Sequence, residues 1–455
     1  MNETDGMQRS ETTTMRKLNY SVPRISSSIV LGIEGFALFA LYYLGYGVPS
    51  IQVGFAQAMG YLSVAVSQFF FGWISDAKYT KWGRRKPYIL ILAPLLGLSF
   101  IFLLLPGIFL PDLNDKNALF IWLLIWDIVF RACYAVTTPY QAWMAEQFPV
   151  KERPKVSQFQ NIFGYVGNAI MIIFTLLILT PEFENIALNP EVTPILVLVP
   201  ILIFGLLVII LYLTITFTMP TEPNFKRESI ESTSLITNLK IIIKNKNYFF
   251  IVLMSGIASF AWSMITTVML TFIDTVLGLS GLIYYIVAGF LIIGFIIFIY
   301  FWRRLIQTKG KKQTLLYLFI FAIFLLPTTL IGLIPLAANV IFGTIFILII
   351  AAVISGWNLF PYIYMADLAE DDEKRTGQLK AGIYAGFPSI IFNIFQAIGS
   401  FIIGAILSLQ DITVGALTYS LGLVLWGPIC SLILIVAYFF TKKLVRLDFD
   451  WEKEK

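Results

Sequence analysis

An all-α, polytopic membrane fold of twelve transmembrane helices in two six-helix bundles is predicted by three features of this 455-residue sequence. Hydrophobic residues make up 58% of it and charged residues 13%, with a mean hydropathy of +0.82, which leaves too little polar surface to solvate a soluble globule. The apolar residues are gathered into stretches of about 20 or more, the length a helix needs to cross ~30 Å of hydrocarbon. All of the 32 Lys and Arg residues except Lys116 and Arg131 fall in every second gap between those stretches. Basic loops stay on the cytoplasmic side during insertion, so both termini of a multi-pass cell-membrane protein are expected in the cytoplasm, with an even number of spans.

Each span follows from its gaps. The polar, Thr-rich residues 1–24 have no apolar core ahead of a cleavage site, so the first span, 25–47, is expected to do the targeting. The second, 52–75, ends at the basic gap 76–87; the third and fourth, 88–110 and 118–145, end at 147–157. The fifth and sixth, 158–180 and 194–217, end at the longest basic gap, 218–246, read as a linker between an N-terminal unit, 1–217, and a C-terminal one, 247–455. The seventh and eighth, 248–273 and 281–302, precede 303–313; the ninth and tenth, 314–335 and 338–365, precede 374–380; the eleventh and twelfth, 380–407 and 413–441, precede the basic tail.

Several function classes fall away. With no histidine, Ser-His-Asp triads and His-containing zinc sites cannot be built, and a proton-handling group must be a carboxylate. Gly310-Lys311 lacks a phosphate-loop frame, having Leu305 for the leading glycine and Lys312 for Ser or Thr. No enzyme, resident metal or cofactor is expected. The net charge of +5 is spread over loops that face lipid headgroups, so no nucleic-acid partner is expected either. Cys133 and Cys430 both lie in spans, which argues against a disulfide framework.

The halves repeat. Asp76 through Lys86 after the second span is matched by the basic turn Thr308-Lys309-Gly310-Lys311-Lys312 after the eighth; Pro139-Tyr140 with Met144-Ala145-Glu146 is matched by Pro361-Tyr362 with Met365-Ala366-Asp367. Repeated six-helix halves are a mark of secondary transporters. Gly72-Trp73-Ile74-Ser75-Asp76 through Trp82-Gly83-Arg84-Arg85-Lys86-Pro87 resembles the loop after the second helix in the major facilitator superfamily, and more narrowly in the glycoside-pentoside-hexuronide:cation symporters and their sucrose-transporter relatives. Ala366-Asp367, Asp371-Asp372-Glu373, Thr376-Gly377, Gly382, Gly386, Gln396-Ala397-Ile398-Gly399 and Gly404 are similar to the loop and eleventh helix of the melibiose-permease branch. That resemblance implies a sugar or glycoside symporter. It also implies no sodium site of the usual kind, since Gln68 and Val64 stand where sodium-coupled members carry acids and Asn393 where they carry lysine. Gln68 matches the sucrose-transporter pattern, and Glu34 in Gly32-Ile33-Glu34-Gly35-Phe36 resembles a first-helix glutamate of animal relatives, which implies proton coupling.

A charge at mid-span costs roughly 2.5 to 3.5 kcal/mol, so it is rare unless paired, solvated or functional. Asp127 and Arg131 lie one helical turn apart and are expected to form an ion pair, serving structure or function alike. Glu34 has no basic residue in its own helix and needs a partner or a proton; it is the first candidate for the coupling proton and Asp127 the second. Both are expected to border a wet central passage. A hydroxyl-rich solute needs amides and aromatic faces, and Gln68, Asn168, Asn358, Asn393, Gln396, Trp126, Trp262 and Trp357 are the candidates, although interhelical bonding or packing accounts for each singly. Asp76, bonded by Arg84 or Arg85 across the turn at Gly83, is expected to latch the cytoplasmic side, with Asp367 and Arg375 in the equivalent loop. The expected whole is a monomeric, proton-coupled carrier of a sugar or glycoside in contact with membrane lipid. The alternatives are a carrier of another solute, such as a lysolipid, and a membrane sensor without turnover.

Overall fold

The structure, a computed structural model, describes residues 12–77, 79–149, 152–221, 245–279, 281–335, 340–376 and 381–447, with side chains described throughout except at some helical positions, chiefly within 361–387. Most of the expected linker, 222–244, lies outside the described residues. Local chemistry sets where helices begin. Asp115 Oδ1 accepts from Asn117 N and Ala118 N at 2.9 and 3.1 Å, and Asn245 Oδ1 accepts from Tyr248 N at 3.3 Å, satisfying N–H groups that a first turn leaves unpaired. Proline opens others at their first or second position: Pro23, Pro87 and Pro154.

Among the described residues, eleven helices are long and apolar enough to cross a membrane: Thr14–Gly45, Lys86–Leu104, Lys116–Met144, Lys155–Leu188, Ile195–Thr218, Lys246–Val276, Ile283–Lys309, Lys311–Leu333, Ile341–Phe360, Pro388–Leu407 and Gly422–Leu444. The remaining expected span is the 28-residue helix Ser50–Ala77, whose hydropathy is diluted by Gln52, Gln57 and Gln68. Counted in chain order with that helix second, these are spans one to twelve. Ile203, Ile210, Ile296, Ile297, Leu432 and Val436 are each more than half exposed, a surface suited to lipid rather than water.

Three boundaries differ from the hydropathy reading. The first span begins earlier, with the helix Thr14–Ser21, which carries Arg16 and Lys17 and is too polar for hydropathy to register. The third span breaks at Leu105, before Pro106, because proline removes the N–H that would continue the ladder. Residues 413–420 form no part of the twelfth span. Strands β1 (Asp411–Val414) and β2 (Leu417–Ser420) pair antiparallel there, Asp411 opposite Ser420, around Gly415 at φ 63. Thr413, Val414, Thr418 and Tyr419 favour a pleated strand, and a left-handed glycine suits the hairpin.

Packing within spans one to six is mirrored within seven to twelve. Span one packs on five and six, two on four, three on four and six; span seven packs on eleven and twelve, eight on ten, nine on ten and twelve. Spans one and seven also end alike. Each closes in a wide π-type turn, Leu41–Gly45 and Phe272–Val276, followed two residues later by a left-handed glycine, Gly47 at φ 65 and Gly278 at φ 56. The two groups meet where span two packs on eleven and span one on seven. Away from the basic loops this seam is tight: Ser50 Oγ donates to Gly404 O at 3.0 Å, and a Cβ on Gly54 or Gly404 would collide with the facing backbone.

Candidate functional site

Three charges meet inside the first group of helices. Arg131 on span four places Nη2 at 2.6 Å from both carboxylate oxygens of Glu34 on span one. Glu34 and Asp127 have no exposure, and Arg131 is 5% exposed. The expected Asp127–Arg131 ion pair is therefore corrected: the guanidinium reaches across to Glu34, because the long arginine side chain spans helices whereas the short aspartate stays beside its own. Asp127 lodges against span two, where a Cβ on Gly60 would overlap its Oδ2 and crowd the Arg131 stem. It abuts Glu34 and Arg131 electrostatically, yet neither of its oxygens receives a hydrogen bond from a donor. Two carboxylates can bond each other only through a proton. With Glu34 and Asp127 ionised against one guanidinium the cluster carries one excess negative charge, which a single proton would cancel. Desolvated charge of this kind is costly unless neutralised.

The expectation that both carboxylates border a wet passage also needs correction, since neither is exposed in this conformation. Tyr61 on span two stands at their edge. Its ring centroid is 3.9 Å from Arg131 Cζ, and Tyr61 shares a small buried cluster with Ala58 of its own helix and Ala397 of span eleven. Arg131 and Tyr61, at 5% and 7% exposure, hold what accessible surface the cluster's edge has.

A neutral polar relay lies further along the same seam. Ser389 Oγ donates to Gln68 Oε1, and Asn393 Nδ2 donates to Ser389 O and Oγ at 2.7 and 3.1 Å. Two candidates read separately from the sequence, Gln68 and Asn393, thus converge on a serine that was not singled out. Trp262 and Trp357 also converge, stacked at 5.4 Å between centroids and 25° between planes, with the Trp262 indole N–H buried and without an acceptor. Trp126 does not join them. It packs at 4.3 Å on Phe102 of span three, on a different face of span four from the charge cluster, because adjacent helical positions point about 100° apart. Asn168 and Gln396 are half-buried and Asn358 is exposed.

At the basic-loop end, Arg84 Nη2 and Arg85 Nε lie 2.9 and 3.1 Å from Glu146 Oε1, and Arg85 Nη1 donates to Ser75 Oγ at 2.7 Å. Gly83, at φ 96, turns the loop while its N–H and C=O bond Thr80. The carboxylate that gathers these arginines is Glu146 of the repeated Met-Ala-acid motif, which sequence reading quoted without giving it this role. The side chains of Asp76, Asp367 and Arg375 lie outside the described residues. Beside this cluster Glu152 accepts from Thr12 and pairs with Lys17 Nζ at 3.1 Å; the Thr12 hydrogen bonds first, then Lys17, hold its carboxyl below the usual range.

Among the described residues, eleven apolar spans and the helix Ser50–Ala77 form two mirrored groups with charges buried beside their seam, which defines a polytopic carrier fold. The sequence matches the family described as MFS/sugar transport protein over residues 29–441, and the chain belongs to that family, one of transporters rather than enzymes. A stretch of 167 residues is 26% identical to an uncharacterized symporter of Synechocystis sp., covering 36% of this chain and 30% of that curated relative. The fold is similar to that of a mutant form of the nucleoside transporter NupG, with a TM-score of 0.66 at 15% identity over 95% of this chain and 100% of that one. It is also similar to a D-xylose-proton symporter, with a TM-score of 0.61 at 15% identity over 95% and 96%. A bacterial homologue of the human lysosomal transporter Spinster, inward-facing and unoccupied, gives 0.63 at 14% over 94% of each chain. At these identities the likeness is one of fold.

Proposed function

We propose that this chain is a proton-coupled symporter of a sugar or glycoside, working by alternating access in the cell membrane with both termini in the cytoplasm. The observation that carries the reading is the buried Glu34–Arg131–Asp127 cluster, one proton short of neutrality beside a seam between two helix groups. Glu34 and Asp127 share the proton, and Arg131 holds Glu34 in place. The neutral relay Gln68–Ser389–Asn393 supports protons over sodium, because it offers a cation no carboxylate. Amides and a serine at that seam, with stacked indoles on spans seven and ten, suit a hydroxylated ring. The family's description and the printed titles of a related symporter and of the xylose-proton structure point the same way.

The test is uptake by proteoliposomes under an imposed pH gradient, screened across mono- and disaccharides with and without sodium. Accumulation that follows the pH gradient and disappears with Glu34→Gln is expected; sodium-driven or gradient-independent accumulation overturns the coupling. One observation favours a second reading, a carrier of an amphipathic solute such as a lysolipid. A small cleft between the groups is lined by Phe36, Met171, Leu176, Met269, Leu291 and Phe295, apolar walls that match an alkyl chain better than a hydroxylated ring if the cleft widens. Uptake of labelled lysolipid that no sugar competes would favour it.

A further inference from the structure

We propose that Tyr61 is the lid of the charge cluster: its ring closes the Glu34–Arg131–Asp127 group off from the seam, and the cluster exchanges its ion when span eleven moves away from span two. The inference rests on the proposed ion-coupled reading and adds the residue that links charge to movement. Tyr61 belongs to two environments at once. One ring face lies over the guanidinium, with Arg131 Cζ 3.9 Å from the centroid, and Tyr61 shares a small buried cluster with Ala58 and with Ala397, which comes from the opposing helix group. Glu34, Asp127 and Arg131 sit behind it at 0%, 0% and 5% exposure.

Among the described residues, the charged and titratable groups facing the cluster come from few elements. Glu34 comes from span one, Asp127 and Arg131 from span four, and Tyr42 of span one lies within electrostatic reach of Asp127 while its hydroxyl donates to Leu103 O at 2.7 Å. Span eleven, Ala381–Leu407, has no Asp, Glu, Lys or Arg anywhere in its sequence. Tyr61 therefore offers the guanidinium a π face, a hydrophobic cover and a hydroxyl within hydrogen-bonding reach, and a desolvated arginine gains from each. Parting spans two and eleven removes the Ala397 side of that cover. Tyr61 is thus a positioning residue: it touches no solute, and it decides when the cluster meets water.

The experiment measures carbodiimide modification of Glu34 and Asp127 in the purified full-length protein, by peptide mapping, for wild type, Tyr61→Phe and Tyr61→Leu. Phenylalanine keeps the ring and is expected to label as slowly as wild type; leucine keeps apolar bulk without a π face and is expected to label about tenfold faster. Equal rates in wild type and Tyr61→Leu, with both monodisperse and equally heat-stable, overturn the proposal. If Tyr61→Leu is unstable, wild type and Ala397→Gly are compared instead, and an unchanged rate on opening that side of the ring overturns it equally. Transport gives the second readout: Tyr61→Leu retains solute exchange while gradient-driven accumulation falls, a split that loss of folded protein would not produce. Carbodiimide labelling needs no solute, so a wild type that transports no sugar defeats the proposed function while leaving the lid measurable.

Discussion

The Asp127 carboxylate rests against the bare Cα of Gly60, occupying the space that any side chain at position 60 would claim. A buried charge cluster is thereby dimensioned by a glycine on the neighbouring helix. Gly60→Ala is expected to cost about 1–3 kcal/mol through overpacking, whereas Gly35→Ala, one residue from Glu34 but with open space at its Cβ, is expected to be neutral or stabilising. Thermal unfolding of the two purified variants checks this, and equal melting temperatures would refute it.

Arg131 neutralises part of two carboxylates, so its loss should exceed the loss of either acid. Arg131→Ala is expected to destabilise by about 3–5 kcal/mol by stranding Glu34, and the addition of Glu34→Gln should restore part of that. Denaturation of the single and double variants measures the coupling. Strict additivity would mean that the 2.6 Å contact contributes nothing.

Gln68 and Asn393 share Ser389, so charge introduced at one is felt at the other. Gln68→Asp alone is expected to lower stability, and Gln68→Asp with Asn393→Lys to recover it, with an interaction of about 0.5–3 kcal/mol. Melting temperatures around the double-mutant cycle decide.

Glu146 gathers Arg84 and Arg85 at the basic-loop end. Glu146→Gln is expected to weaken charge-assisted bonds each worth about 1.5–3 kcal/mol and to speed hydrogen exchange in residues 79–86. Unchanged protection there would show that this carboxylate does not order the loop.

Glu152 titrates below its ordinary range because Thr12 and Lys17 bind its charged form. A lowered folded pKa gives stabilisation that is fully present above the unfolded value of about 4.3 and is lost as pH falls through the folded one. The protection factors of Thr14–Ser21 amides, taken relative to their intrinsic exchange rates at each pH, should therefore hold at neutral pH and fall once pH drops below that range, a change that Glu152→Gln removes.

Long apolar runs and alternating basic gaps make the helices legible, because lipid demands both in sequence-local form. Ser50–Ala77 reads as a span despite its glutamines, through its flanking basic loop. The Glu34–Arg131 pair is not legible: the i, i+4 rule sees partners on one helix, and this partner comes from another 97 residues away. Gly60 and Tyr61 give no signal, since a glycine and a tyrosine in a span look like ordinary packing. The hairpin at 411–420 hides in an apolar stretch whose hydropathy is indifferent to backbone type. Glu146 is in view as half of a repeated motif, and the loop has to fold back before its partners can be known.

The paired wide turns at Leu41–Gly45 and Phe272–Val276 carry a consequence for anyone numbering faces. Each inserts one residue beyond regular α geometry, a rotation of about 100° for everything downstream. A helical wheel drawn straight through either stretch would assign Tyr46 or Leu277 to the wrong azimuth. Both leading rods carry the same offset, so the duplicated arms stay in phase at the rim, and deleting a single residue from one turn alone would put them out of step.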